Sequence, residues 1–343
     1  MEFGSNYQFN THFGKSINFS RVLKNNCYFF TSGRMAIKFI VEQLKFNKIY
    51  LPNFLCEQVY NCFESLEKVF YYVSNEFSYE KGLESIEDNS IVFVSNYFGL
   101  SDETKILEIL ENQKRTKNII VIYDITHSLF TTKNSKVVDF YVASIRKWFP
   151  IPDGGLICCD NKFDIKFESA SDEMIKNFVY ASVLKLLYVN SNNKDEKLNK
   201  DYRKIFVECE ENLSEIKGYC EMSDYSKNYI ENYNISVLSQ RARNYNTLSS
   251  KLNNKNIKLC FDNYLREVDI PFSMPILCKK RDELRKYLME NQVYCAIHWN
   301  QDFMSDDVRN EQLSHQILSI PIDERYSEND MNDLAEILNK FGE

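Results

Sequence analysis

Asn118-Ile-Ile-Val-Ile-Tyr-Asp124-Ile-Thr-His127-Ser128 is an apolar run that ends on a carboxylate. A run this short, bounded by polar residues, reads as a buried strand with Asp124 at its carboxyl end. Comparable runs lie at Ile49–Leu51, Val69–Val73, Ile91–Val94, Phe140–Ala143 and Leu156–Cys158, separated by polar or helical stretches such as Glu103–Gln113. Ahead of them Met35, Ala36, Ile37, Phe39, Ile40 and Leu44 recur at helical spacing, with Thr31 or Ser32 available as N-cap. Strand alternating with helix predicts an α/β domain with a mostly parallel sheet.

Outward from that core the pattern changes. Asn190–Lys204 is dense in Asn, Lys and Asp, which predicts an exposed excursion from the compact domain. Beyond it Val237–Leu252 reads as helix, and Pro271–Leu277, Arg281–Asn291 and Asp330–Phe341 read as strand, helix and closing helix. The expected organisation is a large domain over residues 1–220 and a small α+β domain with its connecting helix over 221–343. No internal repeat is present. At 343 residues and 44% hydrophobic composition, the chain has enough apolar surface for two such cores.

The net charge of −7 comes from interspersed Lys and Glu. No basic face is therefore offered to nucleic acid and no polybasic cluster to a membrane, which leaves small molecules as the expected ligands. No apolar stretch reaches the roughly 18 residues of a membrane span, and no signal-peptide pattern opens the chain. The ten cysteines are scattered, with none of the spacing that suits zinc, so no metal site is expected. Reduced thiols in a cytoplasmic protein are the simplest reading.

Three segments carry chemistry. In Asp139-Phe-Tyr-Val-Ala-Ser144-Ile-Arg-Lys147-Trp-Phe-Pro-Ile-Pro-Asp-Gly154-Gly155, a strand ends at Ser144 and a lysine follows among Trp148, Phe149 and Pro150. An amine packed in that way sheds hydration and is freed to attack an aldehyde; the alternative is an ordinary surface lysine. Asp124 stands where ligands bind in open α/β sheets, beyond the carboxyl ends of the strands. A carboxylate there can keep a pyridine nitrogen protonated; alternatively it caps the next helix, and His127 is a satisfied core histidine. Thr31-Ser32-Gly33-Arg34 opens the first helix, where free N–H groups favour an anion such as a phosphate. Ser144 adds a hydroxyl and Arg146 a charge near the same place.

An aldehyde trap, an acid for a ring nitrogen and a phosphate cradle are together what pyridoxal 5'-phosphate requires. In order and spacing, Ser32-Gly33-Arg34-Met35-Ala36, Asp124-x-x-His127 and Lys147 followed by Asp153-Gly154-Gly155 resemble the DegT/DnrJ/EryC1/StrS aminotransferases. The resemblance continues through Arg241-x-Arg243-Asn244-Tyr245, Arg281-Asp282-Glu283-Leu284, His298-Trp299 and Leu318-Ser-Ile-Pro321-Ile-Asp323-Glu-Arg325-Tyr326. It implies a fold-type-I transferase in which Lys147 carries the cofactor as a Schiff base and Asp124 partners the pyridine nitrogen. It also implies phosphate ligands at Ser32, Gly33 and Arg34, and His127 on the cofactor's 3-hydroxyl side. An aromatic ring normally stacks on the pyridine from the segment matching Leu51–Cys56; Phe54 has the right chemistry and Cys56 the stricter register. Two departures stand out. Ser144 precedes the lysine by three residues where the family's serine precedes it by five, and the Gly-Tyr-Asn-Tyr-Arg-like segment supplied by a neighbouring subunit is absent.

The activity implied is transfer of an amino group from an amino acid, typically glutamate, to a nucleotide-linked keto-sugar, by a homodimer. Decarboxylation, elimination or epimerisation of an amino acid or its phosphate ester would use the same cofactor pieces. A non-catalytic binding module on the same fold is the third reading. His298-Trp299 and Arg325 read as packing and salt bridging as readily as pocket lining.

Overall fold

The computed structural model describes residues 1–10, 13–14, 19–191 and 195–342. Its centre is an eight-stranded sheet, built from β2 (Asn26–Phe30), β3 (Lys48–Pro52), β4 (Glu67–Val73), β5 (Tyr79–Lys81), β6 (Ser90–Ser95), β7 (Ile119–Asp124), β8 (Phe140–Ser144) and β9 (Gly155–Cys159), after a short β1 (Phe3–Gly4). The spatial order is β2-β9-β8-β7-β6-β3-β4-β5. From β8 across to β4 neighbours run parallel; β9 lies antiparallel between β8 and β2, and β5 is antiparallel to β4.

Each apolar run of the sequence is a strand here, and the pleat explains why both faces are apolar. Ile91 and Phe93 of β6 face the helix Gly33–Gln43 through Ile37 and Ile40, while Val92 and Val94 face the helix Thr104–Lys114 through Ile106 and Leu110. Burial of each such side chain contributes about 1.5–3 kcal/mol, and a one-residue slip in register would exchange the two faces.

Asn26–Phe30, not among the runs expected in the sheet, is an edge strand that pairs with β9. That pairing sets Cys27 directly opposite Cys158, and the two form a disulfide with Cα atoms 4.3 Å apart. The expectation of wholly reduced thiols is corrected by this register, which spacing along the chain does not reveal. The expected excursion at Asn190–Lys204 also differs. Residues 192–194 lie outside the described residues, but Asp195 caps a helix, Glu196–Glu215, that packs on the helix Asp172–Asn190. The helix's buried residues Tyr202, Phe206, Cys209 and Leu213 fall at helical spacing, and most of that stripe lies past Lys204, where the polar window ends.

A second core forms from the C-terminal part. Strands β10 (Lys258–Leu259), β11 (Met274–Leu277) and β13 (Ile317–Ile320) make an antiparallel sheet, and β12 (Val293–Tyr294) pairs with β1. The helices Gln240–Lys251 and Glu328–Asn339 cover it through Tyr245, Leu248, Leu334 and Leu338. Ser327 and Asp330 form a reciprocal capping box at the start of the last helix. The first residues of the chain belong with this core: Phe3 is buried among its side chains. Among the described residues no helix is long and apolar enough to cross a membrane.

Candidate active site

Asp124 ends β7 and Ser144 ends the adjacent β8, so both stand at the carboxyl edge of the parallel strands. Ser144 leads into one helical turn, Ile145–Lys147. Ile145 N–H donates to the Gly154 carbonyl at 2.9 Å, and Gly154 N–H to the Thr31 carbonyl at 2.8 Å. These bonds hold the lysine turn against the start of the first helix. A Cβ on Gly155 would lie 2.1 Å from the Ser32 carbonyl oxygen, and one on Gly33 would lie 3.2 Å from the Ser144 backbone. Glycine at both positions is what lets helix and strand ends meet so closely.

Ser32 is the N-cap of the helix Gly33–Gln43, its hydroxyl accepting from Met35 N–H at 3.2 Å. The first N–H groups beyond it have no acceptor inside the helix, as in any first turn. Ser32, Gly33, Arg34, Asp124, Ser144 and Lys147 all line one cleft.

Thr126, which the sequence reading passed over, ties the cleft together. Its N–H donates to Asp124 Oδ1 at 2.8 Å, its hydroxyl accepts from Ser144 N–H at 3.0 Å, and its carbonyl accepts from Trp148 Nε1 at 2.6 Å. A carboxylate bonded to the amide two residues on is a common turn, so Asp124-x-Thr126 was the available signal. Burial raises the Asp124 carboxyl above its ordinary range, with the Thr126 hydrogen bonds and the Lys147 charge pulling it down.

His127 does not line that cleft. Its ring is buried and stacked against Phe272, with centroids 4.3 Å apart and planes 7° apart, and against Trp299 at 5.6 Å. Burial first, then the Lys147 charge and His298, hold it far below the usual imidazole range. It is therefore neutral. Its Nδ1 accepts from Phe98 N–H at 3.3 Å, which puts the proton on Nε2, a buried nitrogen with no partner among the described residues. Such a donor costs about 1–3 kcal/mol unless an acceptor meets it. Phe54 is also away from the cleft, fully buried with its ring 5.4 Å from that of Trp299, whereas Cys56 lines the cleft.

A second cavity, with about 1020 Å³ of open space, adjoins the first and shares Arg146 and Lys147 with it. Its far side comes from the C-terminal core, including Arg241, His298, Asp323 and Arg325. Burial, with the Lys147 charge adding to it, pushes His298 down to about 3, and its Nδ1 lies 2.7 Å from Ser319 Oγ.

The three arginines of this cavity are paired differently. Arg241 meets Glu324 at 2.8 Å, with side chains 1% and 2% exposed, and Arg325 meets Asp323 at 2.5 Å, with 7% and 8% exposed. Removing one member of such a buried pair costs about 3–5 kcal/mol, because the other charge is left unpaired. Arg146 meets Glu210 through two bonds of 2.5 and 2.9 Å, but Glu210 is 48% exposed. A pair open to water contributes only about 0–1 kcal/mol.

No family model matches the chain, and no curated protein matches it. Solved structures do. DesV of S. venezuelae, in complex with a ketimine intermediate, is 11% identical, with 95% of this chain and 87% of that chain covered at a TM-score of 0.59. The sugar aminotransferase CalS13 of Micromonospora echinospora is 10% identical, with 94% and 89% covered at a TM-score of 0.60. A DegT DnrJ EryC1 StrS aminotransferase of Brucella abortus is 14% identical, with 95% and 88% covered at a TM-score of 0.56. The likeness is one of fold: a large, mostly parallel sheet flanked by helices, with a smaller α+β part, as in fold-type-I transferases.

Proposed function

We propose that the chain is a pyridoxal-phosphate-dependent aminotransferase that passes an amino group from an amino acid, glutamate foremost, to a keto-sugar carried on a nucleotide. The observation that carries this reading is the convergence of Lys147, Asp124 and the opening turn of the first helix on one cleft. The structures of similar fold support it, since they include sugar aminotransferases and, for Spr1654 of Streptococcus pneumoniae, a PLP-form and a PMP-form. A homodimer in the cytoplasm is part of the same proposal.

The residues present fit the cofactor. Gly33 and the adjoining Ser144 leave a cradle at a helix N-terminus, where Ser32, Gly33 and Arg34 would hold the phosphate. The Asp124 carboxylate in the cleft would be the acceptor for a ring N–H, and the buried Nε2 of His127, outside the cleft lining, is a donor without an acceptor among the described residues. When bound, pyridoxal phosphate supplies an aldehyde for covalent attachment and a ring that withdraws electrons from the substrate carbon. Lys147 Nζ is the amine for that attachment and, between the two spaces, the group placed to take and return a proton. Asp124 would keep the ring nitrogen protonated, Thr126 fixes the Asp124 carboxylate, and Phe54 would support the site from outside the cleft through its contact with Trp299.

The test is the absorbance spectrum of purified protein supplied with pyridoxal phosphate, beside Lys147→Ala, before and after borohydride. A near-visible band that becomes a covalent adduct in the parent and is missing in the variant is the expected result. No band and no adduct in the parent would end the reading. Return of that band on addition of a keto-sugar to donor-treated protein then separates transamination from carbon dioxide release.

A further inference from the structure

We propose that Arg146 is the binding site for a carboxylate of the amino donor, and that Glu210 occupies it until the donor arrives. The identity of the ligand rests on the proposed function; the site itself rests on geometry. Arg146 and Lys147 are consecutive and both line both spaces, so an amino acid at the Lys147 amine lies beside this guanidinium. The guanidinium already grips a carboxylate end-on through two parallel bonds, the geometry by which arginine recognises this group. It also keeps a donor in reserve, since its Nε is buried with no partner among the described residues.

The other arginines of the cavity are committed. Arg241 gives Nε to Glu324 and its remaining nitrogens to the Phe272 carbonyl and the Tyr7 hydroxyl. Arg325 gives two nitrogens to Asp323 and the third to the Asn6 carbonyl. Their carboxylates are buried, so neither can be displaced without stranding a charge. Glu210 alone can swing into water, and exchange of its carboxylate for the donor's leaves the charge at Arg146 balanced. The cofactor's phosphate is the other oxyanion within the neighbourhood, because Arg146 borders the phosphate cradle as well.

The experiment is a calorimetric titration of the protein supplied with pyridoxal phosphate, using glutarate, which has two carboxylates and no reactive amine. Its neutral counterpart glutaramide and inorganic phosphate are the comparisons. Glu210→Gln should tighten glutarate about two- to fivefold by removing the competing carboxylate, a gain that a misfolded protein cannot produce. Arg146→Gln should weaken it about 10- to 100-fold, and Arg146→Lys should recover only part, since lysine offers a point charge rather than a fork. Glutaramide should not respond. Unchanged glutarate affinity in Glu210→Gln or in Arg146→Gln overturns the proposal. A gain confined to phosphate and pyridoxal phosphate overturns it too, and gives Arg146 to the cofactor. Expected glutarate shifts in a protein that shows no Lys147-dependent band would keep the carboxylate site and discard the aminotransferase reading; a normal band with no shifts would do the reverse.

Discussion

The cleft at the sheet edge and the cavity beside it share Lys147 and are built in opposite ways. The cleft takes Asp124, Thr126, Ser144 and Lys147 from two adjacent strand ends, and ties them mainly through backbone groups. The cavity is walled by charges that meet across the whole chain: Arg241 finds Glu324, and Arg325 reaches the carbonyl of Asn6. In the first, none of these four side chains is held in an ion pair among the described residues. In the second, almost every charge is structural, and Arg146 with Glu210 is the exception because one member is open to water. The two regions adjoin at Arg146 and Lys147, and burial of the partner decides which charges are structural.

The contrast can be broken by substitutions on either side. Asp124→Asn should lower turnover about 10²–10³-fold, the usual loss when an aimed electrostatic group is neutralised. Its urea midpoint should hold or rise, because a carboxylate whose charge is disfavoured by burial has been removed. A large fall in stability would make Asp124 part of the architecture after all. On the other side, Glu324→Gln leaves Arg241 buried without its counter-charge and should cost about 3–5 kcal/mol in denaturant unfolding. The cofactor band should persist wherever the variant is folded; a loss under about 1 kcal/mol would erase the distinction between the two regions.

A smaller effect sharpens the comparison through pH. Glu103 lies buried behind β7, where Ser101, Asn96 and the Tyr123 hydroxyl donate to it, yet burial pushes its carboxyl up to about 7. A folded value above the ordinary 4.5 means that the native state holds the proton more tightly than the unfolded chain. The contribution is therefore full below about 4.5 and lost as pH rises through about 7. Over that window the parent should lose on the order of 3 kcal/mol relative to Glu103→Gln, whose unfolding should respond less to pH. Parallel pH profiles for the two proteins would show that Glu103 is ionised in the native state throughout.

Much of this was legible along the chain, and for local reasons. The apolar runs that became β3, β6, β7, β8 and β9 are strands buried on most of both faces, so composition marks them, and β4 is marked by its apolar run Val69–Val73 although only Tyr71 and Val73 are fully buried. Asp124 and Lys147 were legible because each sits at or just past a strand end, where a short sequence fixes position. The edge strand β2 was not, because its Asn26-Cys27-Tyr28 start is only half buried and its place depends on β9. His127 lay open between core packing and function, and its environment contains both: a stacked ring and an unsatisfied Nε2.

By itself, then, the sequence determined the α/β class, the strand ends and the residues they present, since period and punctuation act within a few residues. The tertiary structure alone decided which charges are neutralised, which nitrogen is left without an acceptor, that Cys27 meets Cys158, and that the first strand serves the C-terminal core. Those outcomes depend on distance through space and on removal from water, and neither quantity is carried by order along the chain.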